Sequence, residues 1–149
     1  MTREERIARR RLEALAADEQ GRQLLQLALR GIQTSGHGVT IGCWVKPGGG
    51  VAGCVFQHAY WQGVSEGVFE TAERADREVR AHVDDHEFHL VMEAIRALDS
   101  LGKRRFLRRR GLRRELDELA WRATVERLLI DALSQRAKTP EPERLPASA

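Results

Sequence analysis

Gly38-Val39-Thr40-Ile41-Gly42-Cys43-Trp44-Val45-Lys46-Pro47-Gly48-Gly49-Gly50-Val51-Ala52-Gly53-Cys54-Val55-Phe56-Gln57-His58 decides how the rest of the chain is read. Val39, Ile41, Cys43 and Val45 alternate with Thr40, Gly42, Trp44 and Lys46, the period of two expected of a half-buried strand. Pro47 to Gly50 is turn material. A four-residue loop there sets Lys46 opposite Val51 and predicts a β-hairpin over about 39–57. In that register Cys43 faces Cys54, Ile41 faces Phe56, Val45 faces Ala52 and Val39 faces His58. A two-stranded hairpin is marginal alone in water, so it needs helices on its apolar face, a third strand or a second copy. Tyr60 to Phe69 reads equally as a short third strand or as a first helical turn.

Working outward, the flanks are helical. Thr2 and Glu5 have the spacing of a capping box, ahead of a thin apolar stripe of Ile7, Ala8, Leu12, Leu15 and Ala16. Asp18 is placed to cap a second helix, in which Leu24, Leu25, Leu27, Ala28, Leu29 and Ile32 form a broad apolar face. Ser35-Gly36-His37-Gly38 stops it. Beyond the hairpin, about 71–101 reads as a long central helix ending at Gly102, and 112–136 as a last helix. Residues 138–149, with Pro140, Pro142 and Pro146, read as a disordered tail after one globular domain over 1–137. The expected class is α+β, predominantly helical, with the hairpin packed against long helices.

Composition bounds the function. The 149 residues suit one domain, and 42% apolar with 32% charged is globular. A net charge of +3 is mild for a dedicated nucleic-acid coat. Only Lys46, Lys103 and Lys138 are lysines among 25 basic residues, so arginine richness by itself is weak evidence for phosphate binding. No run approaches the roughly 20 apolar residues that span a bilayer, and the charged start leads into no apolar signal segment. The expectation is a cytoplasmic protein with no membrane partner, its two cysteines reduced.

Four places carry possible chemistry. Cys43 and Cys54, facing across the hairpin, suit a reversible disulfide or a pair of small buried side chains. His82, His86 and His89, spaced i, i+4, i+7, fall within about 60° on a helix, and Glu93 continues that stripe. Imidazoles and a carboxylate on one face suit zinc or iron, while a plain polar stripe or a pH-dependent contact suits them as well. Lys103, Arg104, Arg105, Arg108, Arg109, Arg110, Arg113 and Arg114 place eight basic residues in twelve, enough to neutralise several phosphates, or to form a solvated segment paired with Glu115, Asp117 and Glu118. The loop Pro47-Gly48-Gly49-Gly50 lacks the following helix of a phosphate-binding fingerprint and is explained by the turn. No complete catalytic motif surrounds either cysteine.

These residues predict a non-enzymatic binding or regulatory protein that acts through protein or polyanion contacts, nucleic acid included. Self-association as a homodimer through the hairpin edges is its expected assembly. The alternative is a metal-binding or thiol-redox protein built on His82, His86, His89 and the two cysteines.

Overall fold

A computed structural model describes residues 1–41, 52–71, 74 and 86–138. The α+β class with helices predominating is what it shows. In chain order the described elements are α1 (Arg3–Ala17), α2 (Glu19–Thr34), β1 (Gly38–Val39), β2 (Ala52–Gly53), α3 (Val55–Ser65), α4 (His86–Arg105), β3 (Leu107–Arg110), β4 (Arg113–Leu116) and α5 (Glu118–Lys138).

The first two helices start where their caps dictate. Glu5 N–H donates to Thr2 Oγ1 at 3.2 Å, and Gly21 N–H donates to Asp18 Oδ2 at 2.9 Å. Helix α1 packs against α4, α5 and α2, while α2 packs against α3 and α5. The narrow stripe on α1 is therefore enough to bury Ala8, Leu12, Leu15 and Ala16 completely. These meet Leu25, Leu27 and Ile32 of α2, Val91, Leu98 and Leu101 of α4, and Trp121, Leu128 and Leu129 of α5 in one core. Each leucine, isoleucine or valine among them contributes about 1.5–3 kcal/mol on leaving water. Carboxylates of α1 tie its neighbours at the surface: Glu4 to Arg104 and Glu5 to Arg127, both at 3.3 Å.

The antiparallel hairpin is present, but in a different part of the chain. β1 and β2 pair in parallel, Gly38 with Ala52 and Val39 with Gly53, and Thr40 N–H donates to Gly53 O at 2.9 Å. The twelve residues between them meet the length a parallel crossover requires. From Val55 the chain is helical, so Phe56 and His58 are not strand residues and the expected pairs Ile41–Phe56 and Val39–His58 do not form. The reason is packing: Val55, Phe56, Ala59, Tyr60 and Gly63 recur at helical spacing and are buried. Gly31 lets α3 come close to α2; a Cβ there would lie 2.7 Å from His58 O. With β1 and β2 two residues each, the strand edge on which self-association was expected is very short. Gly42 to Val51, including Cys43, Trp44 and the glycine loop, lie outside the described residues.

Two further boundaries move. Gly102 does not end its helix. It lies buried inside α4, where a Cβ would meet Ile41 Cδ1 at 2.6 Å, and the helix continues to Arg105. The last helix begins at Glu118, because 107–116 forms the antiparallel hairpin β3–β4. His82 and most of the predicted 71–85 turn of helix lie outside the described residues, as does 139–149 of the predicted tail.

Candidate functional site

The basic run is distributed over the end of α4 and both strands of β3–β4. The register sets Leu107 opposite Leu116, Arg108 opposite Glu115, Arg109 opposite Arg114 and Arg110 opposite Arg113. Gly111 and Leu112 close a two-residue loop, with Gly111 at φ 64° and no positive φ at Leu112. Glycine at the first loop position is the arrangement that matches the twist of paired strands.

The base of this ribbon is anchored. Leu107 and Leu116 are half-buried against the core, and the Phe106 ring lies 5.3 Å from that of Trp121. Asp117 N–H donates to Phe106 O at 2.8 Å, closing the ladder below the last strand pair. The Asp117 carboxylate accepts from Ala120 N–H at 3.3 Å and so starts α5. The ribbon is thus held at both roots by helices, and it projects away from the core.

What it projects is charge. Arg108, Arg109, Arg113 and Arg114 are exposed, and none forms an ion pair among the described residues. Side chains alternate across a strand, so Arg109 and Arg114 share one face and Arg108 and Arg113 share the other. Like charges directly opposite one another destabilise a strand pair. Lys103 and Arg105 are exposed beside the ribbon root. Arg104 is engaged within the fold by Glu4. The Glu4 carboxyl is held below its usual range by its own backbone amide, and further by Arg104 and Arg105. Leu112, at the tip, is 108% exposed. Neither Leu112 nor the arginine-on-arginine register was identified from sequence. The Gly111-Leu112 loop flanked symmetrically by Leu107 and Leu116 was the available signal.

The remaining sequence-predicted residues are not brought together among the described residues. His86 begins α4, His89 is exposed, and Glu93 pairs with Arg11 of α1 at 2.9 Å. No group of three or more His, Cys, Asp or Glu placed to hold a metal occurs among the described residues. Cys54 is a buried thiol that caps α3, its Sγ accepting from Gln57 N–H at 3.4 Å.

A second polar cluster surrounds the roots of 40–51 and serves the fold. His58 is 1% exposed, and its Nε2 lies 2.9 Å from Gly38 O. A carbonyl only accepts, so Nε2 carries the proton and Nδ1, buried with no partner among the described residues, is a bare lone pair. Burial pushes the His58 imidazole below its ordinary pKa; the Gly38 bond acts the other way, and His37 and Arg122 reinforce the lowering. The Trp61 ring stands edge-on to both His37 and His58, with centroids 5.4 Å away in each case. Arg122 donates to Ile32 O, in the last turn of α2, and to His37 O, in the link to β1. Among the described residues no carboxylate bonds this neutral, clamped imidazole.

No family model, curated protein or solved structure matches this chain.

Proposed function

We propose that this chain is a non-enzymatic binding protein of the cytoplasm that engages polyanions through the β3–β4 ribbon. One observation carries the reading: Arg109 and Arg114 face each other across the strands, both exposed and without an ion pair among the described residues. In the unbound protein this arrangement costs stability. An anion set between the two guanidinium groups offsets the repulsion, and charge-assisted bonds to phosphate or sulfate oxygens are the strong kind. The anchored root fixes the charges in advance, so little ordering cost falls on binding. Lys103, Arg105, Arg108 and Arg113 extend the same surface.

The test is affinity for a phosphate polymer measured against salt. With four ribbon arginines on phosphates, affinity falls on the order of 100-fold between about 50 and 200 mM salt. Charge reversal at Arg109 and Arg113 together abolishes most of that binding. Binding that ignores salt, or that survives the double reversal unchanged, refutes the proposal.

A further inference from the structure

The ribbon's shape and the distribution of its charges restrict the polyanion further, and we infer that its ligand is duplex DNA, entered through the major groove. This rests on the polyanion reading above. Each strand has four residues, roughly 13 Å of extended chain, and the two strands are about 5 Å apart. A two-stranded ribbon of that size is what the roughly 12 Å wide major groove admits.

Three observations separate a duplex from other polyanions. First, arginines stand on both faces of the ribbon, Arg109 and Arg114 on one and Arg108 and Arg113 on the other. A groove has a phosphate wall on each side, whereas a single strand or a flat anionic surface presents charge to one face. Second, the ribbon has no aromatic side chain, and nearby Phe106 is half-buried against Trp121. Single-strand binding draws on bases stacked over aromatic rings, and the ribbon offers none. Third, the tip is apolar: Leu112 is fully exposed between the arginine strands. At the floor of a major groove it meets base edges, including the thymine methyl group. Duplex RNA is a poor fit, because its major groove is deep and too narrow for protein side chains to read. Lys103 and Arg105, at the ribbon root, reach the phosphates that border the groove entrance.

Fluorescence anisotropy of the full chain with four probes tests this: a short DNA duplex, one of its strands, the RNA duplex of the same sequence, and heparin. The DNA duplex is expected to bind about tenfold tighter than the single strand or the RNA duplex at matched salt. Methyl green, which occupies the major groove, should displace the protein, whereas the minor-groove ligand distamycin should not. Leu112→Ala should narrow the preference for duplex over single strand while leaving heparin affinity unchanged. Equal affinity for all four probes, or displacement by distamycin alone, overturns the duplex inference and leaves the polyanion reading standing. No binding to any probe at low salt overturns both.

Discussion

Replacing Arg114 with glutamate should make the protein more stable and less able to bind. Arg114 lies directly opposite Arg109, and both are exposed. Cross-strand pairs of opposite charge contribute roughly 0.2–1 kcal/mol, and like pairs cost a similar amount. Turning one into the other therefore yields about 0.5–2 kcal/mol, a rise in Tm of roughly 1–8 °C for a chain of this size. Thermal unfolding followed by circular dichroism at low salt reads this directly. In about 1 M salt the Debye length falls to roughly 3 Å, so most of the gain should vanish. R114Q removes the repulsion without adding attraction and should recover about half of the gain. R109E/R114E restores a like-charge pair and should fall back toward the wild-type Tm, a non-additivity that only direct coupling produces. Under the proposed polyanion binding, R114E should remove one phosphate contact, and the slope of log affinity against log salt should become shallower by about 1. A lower Tm for R114E at low salt refutes the reasoning, as does a gain that persists at high salt or a double variant that is simply additive.

Three predictions concern the scaffold. His58 is held neutral by burial, so near pH 6.5 and below the unfolded chain binds a proton that the fold does not; stability is full above about pH 6.5 and is lost as pH falls. H58F should flatten the dependence of Tm on pH between about 7.5 and 5, on top of a pH-independent loss for the unpaired Gly38 carbonyl; an unchanged slope counts against it. Gly31→Ala drives a Cβ into the His58 carbonyl, and the clash should outweigh the better helix propensity, for a net loss of about 1–2 kcal/mol in denaturant unfolding. Arg122→Met removes the donors on Ile32 O and His37 O and should cost about 2 kcal/mol, with R122K recovering part of it in the same assay.

Helices α1 and α2 were legible because their starts are written in oxygen caps, Thr2 and Asp18, ahead of apolar residues at helical spacing. Helix α3 was not. Its cap is the sulfur of Cys54, a weak acceptor outside the favoured N-cap set, and Val55, Phe56, Tyr60, Trp61 and Val64 are residues that favour strands. Burial against α2 overrides that preference, and the glycine that permits the close approach, Gly31, lies in another element. The hairpin was misplaced for the converse reason. Between Leu107 and Leu116 stand no β-branched or aromatic residues, only arginines, one glutamate and the Gly111-Leu112 loop. The basic run was visible as charge, but its register was not, and the register gives it geometry.

That register also weighs against arginine richness as a mere compositional bias. Arginines that hold the fold together do so one at a time, each against its own acceptor: Arg9 on Glu13, Arg11 on Glu93, Arg30 on Glu66, Arg104 on Glu4, Arg127 on Glu5, and Arg22 on the Leu133 carbonyl. A compositional bias supplies arginines, yet it leaves folding free to set each beside a carboxylate. In the ribbon the register sets Glu115 opposite Arg108, while Arg109 meets Arg114. Arg109 against Arg114 thus works against stability on an element whose roots are packed on the core. Leu112, fully exposed, lies at the apex of the same ten-residue element.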